Sequence, residues 1–98
     1  MNVYYARLWG DGDLAWLADT FRRAGCAVVV DGGELDVYVP PEQLEQSAPE
    51  VAAHIELAFF LRAVSSLAGP EPTSIEILEE RLITIPDGAF ETLRARTG

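Results

Sequence analysis

The stretch CAVVVDGGELDVYV at residues 26–39 narrows the choice of fold more than any other part of the chain. A two-residue turn at Gly32-Gly33 sets Val30 opposite Leu35, Val28 opposite Val37 and Cys26 opposite Val39. The same register sets Asp31 opposite Glu34, Val29 opposite Asp36 and Ala27 opposite Tyr38. Side chains alternate across a strand, so one face of this hairpin is apolar and the other largely polar. A slip of one residue would mix the two faces. The chain therefore predicts an antiparallel hairpin with one side laid against a core.

The segments around the hairpin follow from the same kind of pattern. NVYYARLW, residues 2–9, alternates and is rich in Tyr and Val, which predicts a strand. GDGD ends it, and Asp13 is placed to cap a helix over 14–24. Leu14, Leu17, Ala18, Phe21 and Ala24 share one face of that helix, and Gly25 supplies its stop. Pro40-Pro41 end the hairpin, and PEQLEQ is expected to form a single helical turn. Ser47 and Glu50 have capping-box spacing at the head of a helix over 48–68, which GPEP terminates. TSIEILEERLITIP predicts a strand, a tight turn near Glu79-Glu80 and a further strand, with a helix over IEILEERL as the alternative. Asp87 is placed to cap a short terminal helix bearing Phe90 and Leu93. The resulting βαββαβ order predicts an α+β, ferredoxin-like two-layer sandwich, with an extra C-terminal strand and the terminal helix appended. Ninety-eight residues fit a single domain, 1–98.

Charge and reactive residues exclude more functions than they suggest. Sixteen acids face seven bases, all of them Arg, for a net charge of −9. Phosphate backbones and anionic lipid both require basic contacts, so neither nucleic acid nor a membrane surface is an expected partner. Seven acids and no base lie between Ala24 and Leu61, a block suited to steering a basic protein. Cys26 is the only cysteine, and it falls on the apolar side of the hairpin, where a thiol behaves as a small hydrophobe. His54 is the only histidine and stands mid-helix among apolar neighbours. Neither offers the paired groups that nucleophilic catalysis needs. Asp11 and Asp13 begin like a calcium loop, but Ala15 replaces the third oxygen ligand and no Glu follows at the twelfth position. No enzyme activity, metal or cofactor is expected. The first residues carry no basic segment before an apolar run, and one cysteine forms no internal disulfide, so a reducing, cytoplasmic setting is expected.

The second helix has too much apolar surface for one sheet. Leu57, Phe60, Leu61, Val64 and Leu67 form one stripe, expected to lie on the sheet. Val51, Ala52, Ile55, Phe59 and Ala63 form a second group, roughly 100–160° round the helix. The first helix could cover it, or the terminal helix through Phe90 and Leu93, or another chain, most simply a second copy in a homodimer. Leaving Ile55 and Phe59 wet would forgo about 3–6 kcal/mol. Trp16 lies on the far side of the first helix from Leu14, Leu17 and Phe21, beside Asp19 and Arg23. An exposed Trp next to Arg has the composition of an interface hot spot, unless its ring lies over Arg23 or a nearby loop.

GDGDLAWLADTFRRAG, followed by a strand, resembles the first half of an ACT-type small-molecule-sensing domain, which also places a Gly-containing turn before Leu at the start of its first helix. The resemblance spans about a quarter of the chain and implies a ligand site at Asp11, Gly12 and Asp13, at a dimer seam. Two aspartates there would repel the carboxylate of an amino acid. The residues favour instead a small acidic, non-catalytic protein-interaction module, of the inhibitor, antitoxin, immunity or phage-encoded antagonist type. It would bind a basic surface of another protein through Trp16 and Arg23 or through Ile55 and Phe59, with Asp31, Glu34 and Asp36 among the steering acids.

Overall fold

The computed structural model describes residues 1–44, 50–69 and 74–95, and excludes the side chains of residues 44 and 50–55. The elements are β1 (Asn2–Gly10), α1 (Leu14–Arg23), β2 (Ala27–Asp31), β3 (Glu34–Val39), a 3-10 turn (Pro41–Leu44), α2 (Glu50–Ser65), β4 (Ile75–Thr84) and α3 (Ala89–Ala95). The chain is α+β, with one four-stranded antiparallel sheet in the order β2-β3-β1-β4. β3 lies between β1 and β2, and β1 lies between β3 and β4, so each helical crossover straddles one strand.

The hairpin has the register its side-chain pattern dictates: Val28 pairs with Val37, Val30 with Leu35, Val29 with Asp36, Asp31 with Glu34 and Ala27 with Tyr38. Gly32 takes φ 63°, the left-handed backbone that the two-residue turn requires. α1 also starts and stops where expected. Asp13 Oδ1 accepts from the backbone N–H of Ala15 at 2.9 Å and of Trp16 at 3.2 Å, and Gly25 at φ 95° ends the helix.

The core lies between the sheet and α1 and α2. Ala6 and Leu8 of β1 meet Val28, Leu35, Val37 and Val39 of the hairpin, Leu17, Ala18 and Phe21 of α1, and Leu57, Leu61 and Val64 of α2. The alternate residues of β1 serve the opposite face. There α3 closes one end, with Phe90 packed on Val3 and Ala27 beside Tyr38, Ile83, Ile85 and Leu93.

Two expectations are corrected. The segment after α2 is one ten-residue strand, with no turn at Glu79-Glu80 and no extra strand after it among the described residues. β1 pairs Arg7 with Glu79 and Leu8 with Ile77, so a bulge at Leu78 absorbs the break in alternation that suggested a turn. Leu67 does not lie on the sheet; it is 74% exposed. The helix ends at Ser65; the Ser66 N–H still bonds four residues back to Arg62, but those of Leu67 and Ala68 bond to the carbonyls of Val64 and Ser65. Such i−3 bonding winds the chain tighter, which turns Leu67 outward and Ala68 into the core. The capping pair expected at Ser47 and Glu50 lies outside the described residues and side chains.

Candidate functional site

Two surfaces carry side chains that the core does not use. The first is the outer side of α2. Its inner side buries Leu57, Leu61, Val64 and Ser65, which leaves Phe59, Arg62, Ala63 and Ser66 facing water. Phe59 is 75% exposed, the most exposed of the large apolar side chains described. Neither α1 nor α3 covers it: α1 meets the inner side of α2, and α3 packs on the other face of the sheet. Ile55 stands one turn before Phe59 in the helix; its side chain is not among those described.

Trp16 lies on the outer side of α1, 48% exposed. A Cβ built on Gly69 would stand 3.6 Å from its ring, so the indole rests against the backbone that follows α2. Arg23 is not under the ring's edge as a cationic partner; it pairs with Asp19 one turn earlier on α1. The two expected apolar anchors therefore sit on different helices.

The second surface is the part of the sheet that α3 leaves open. Asp31, Glu34 and Asp36, expected as steering acids, converge here on Arg7 of β1. Arg7 Nη2 donates to Asp31 Oδ2 at 2.8 Å, Nε donates to Asp36 Oδ1 at 2.9 Å, and Nη1 lies 3.4 Å from Glu34 Oε1. The Tyr5 hydroxyl donates to Asp36 Oδ1 at 2.7 Å. Burial, reinforced by that bond to a carboxylate, pushes the Tyr5 hydroxyl up to about 12. The hydrogen bond that Arg7 donates to Asp36, together with the charge of that carboxylate, holds Arg7 still more firmly in its cationic form. The Tyr38 ring leans on Tyr5 at 5.3 Å between centroids, and the Arg81 guanidinium sits 5.2 Å from the Tyr5 ring centre on the other side. This cluster joins the hairpin to β1 and β4. Nothing in the single-element patterns singled out Arg7, although Tyr5, Arg7 and Trp9 alternating with the apolar Ala6 and Leu8 was the available signal.

The turn at Asp11, Gly12 and Asp13 is built from backbone bonds. The Asp11 N–H donates to the Ser74 carbonyl at 3.2 Å, the Ser74 N–H donates back to Asp11 Oδ1 at 3.1 Å, and Asp13 caps α1. Both carboxylates thus serve backbone N–H groups. Cys26 is fully buried, and burial pushes its thiol up to about 12, far from a reactive thiolate. Among the described residues, no three His, Cys, Asp or Glu side chains gather as a metal would need. No described helix is long and apolar enough to cross a membrane. No protein-family model, curated protein or solved structure matches this chain.

Proposed function

We propose that this chain is a non-catalytic protein-interaction module that docks on a basic surface of another protein through the outer side of α2, with Phe59 as the apolar anchor. The observation that carries this reading is the exposure of Phe59 on a helix that buries Leu57, Leu61 and Val64 on its other side. Burying that ring against a partner is worth about 1.5–3 kcal/mol. Charge defines the occupant: the chain is at −9, and its acids between Ala24 and Leu61 have no base among them. Such a field draws in a cationic protein and repels an acidic one. An inhibitor, antitoxin or immunity-type antagonist that masks a basic surface has this character. Arg7 already neutralises much of Asp31, Glu34 and Asp36, so steering would rest on the field of the whole chain more than on those three acids.

The interleaved strand order supports a ferredoxin-like reading of the architecture, and the ACT-type alternative would share it. A metabolite sensor should gain thermal stability from a small molecule, whereas an interaction module should respond only to a protein. The direct test is Phe59→Asp. The variant should keep its melting temperature and bind a partner captured by the native chain at least about tenfold more weakly, the loss of about 1.4 kcal/mol or more. Unchanged binding would remove α2 as the docking surface.

A further inference from the structure

We propose that β4 is a self-complementary edge, and that two copies of the chain associate by pairing β4 with β4 antiparallel about Glu80. This surface is separate from the outer side of α2, and the inference does not depend on the reading given above. β4 is an edge strand: on one side it pairs with β1 over Ile75–Thr84, and among the described residues nothing pairs with its other side. An unpaired strand edge presents a row of backbone N–H and C=O groups to any extended chain that fits.

The sequence Leu78-Glu79-Glu80-Arg81-Leu82 fits itself. In an antiparallel pair centred on Glu80, Leu78 meets the Leu82 of the second copy, and Glu79 meets its Arg81, each contact occurring twice. Leu78 and Leu82 are 43% and 47% exposed, although both lie in a sheet strand. Glu79 and Arg81 lie on the same open face, within 3.4 Å of each other, and the Arg81 guanidinium also rests against the Tyr5 ring of β1. Two such pairs brought edge to edge make a square of alternating charge. Charged residues on an edge ordinarily discourage pairing with other chains. Here the order of the charges discourages other strands and rewards a second copy. The bulge limits the match to these five residues. Beyond it Ile77 belongs to the core under α2, whereas Ile83 belongs to the cluster under α3, so their side chains would meet from opposite faces. Glu80 falls on the symmetry axis and meets its own copy.

Sedimentation equilibrium on the native chain and three variants tests this. The native chain should show a concentration-dependent monomer–dimer equilibrium. Arg81→Glu and Glu79→Arg each place like charges opposite one another, and each alone should weaken self-association about tenfold or more. A one-to-one mixture of the two should recover it as a heterodimer, because every charge pair is then opposite in sign. Phe59→Asp should leave it unchanged. Far-UV circular dichroism confirms that each variant is folded, and recovery in the mixture cannot come from misfolded chains. A native chain that stays monomeric up to about 1 mM overturns the proposal. So does a dimer indifferent to Arg81→Glu, a mixture that fails to recover, or a dimer lost with Phe59→Asp.

Discussion

Asp36 carries more of this structure than its neighbours on the hairpin. It is the shared acceptor for the Tyr5 hydroxyl and the Arg7 guanidinium, so it ties β3 to β1 with two hydrogen bonds at one oxygen. Asp36→Ala would leave the nearly buried Tyr5 O–H without that acceptor, and the expected loss is about 1–3 kcal/mol, read by urea denaturation. Asp36→Asn is milder and more informative. Burial is the largest cause of the raised Tyr5 value, with the Asp36 hydrogen bond second. The tyrosinate titration of Tyr5 should therefore fall below about 12 in Asp36→Asn, yet stay above that of a free tyrosine. The sign for stability follows. Tyr5 is harder to ionise folded than unfolded, so its contribution is complete below pH 10 and is lost as the pH rises towards 12. Melting temperatures measured across that window should decline, and part of the decline should vanish in Asp36→Asn.

At the scale of elements, α1 gives the cleanest case of sequence setting structure. Asp13→Ala removes the acceptor for two N–H groups at the head of the helix and should cost about 0.5–2 kcal/mol in chemical denaturation. At the other end, Gly25→Ala combines a left-handed φ of 95° with a Cβ that would come within 2.8 Å of Gln43 Nε2, so it should destabilise even if that side chain moves aside. The parts legible in the sequence share one property: their cause is local. The hairpin register follows from alternation on both arms of a short turn, and the cap and stop of α1 follow from single residues at its ends. What was not legible depends on partners far along the chain. The bulge at Leu78 exists because β1 lies alongside β4, and without β1 the break in alternation at Glu79-Glu80 reads as a turn. Leu67 has helical spacing from Val64, and only the tightening of the last turn rotates it into water. The Arg7 cluster joins residues 24 and 29 positions apart, and no pattern within one strand reveals it. Phe59 was legible as a surplus apolar side chain, because the inner stripe of α2 already filled one side.

On the scale of the whole molecule, charge separates the two kinds of association that the surfaces suggest. Each copy carries −9, and two copies brought together repel over distances comparable with their 33 × 28 × 20 Å extents. In water without salt that repulsion is on the order of 10 kcal/mol. The two Glu79–Arg81 pairs at a β4 junction together return only about 0.4–2 kcal/mol. The Debye length falls from about 30 Å at 0.01 M salt to about 8 Å at physiological strength. Screening therefore removes most of the long-range repulsion while contacts a few ångströms apart persist. Self-association should strengthen as salt rises through this range. Association with a basic partner should do the reverse, because the same field that repels a second copy accelerates the encounter with a cation, and screening lowers its on-rate. Sedimentation and stopped-flow measurements over one salt series should therefore run in opposite directions. A dimer that weakens steadily with salt would mean that local ion pairs, rather than net charge, govern the contact. A partner on-rate that is flat in salt would mean that the acidic field takes no part in recognition.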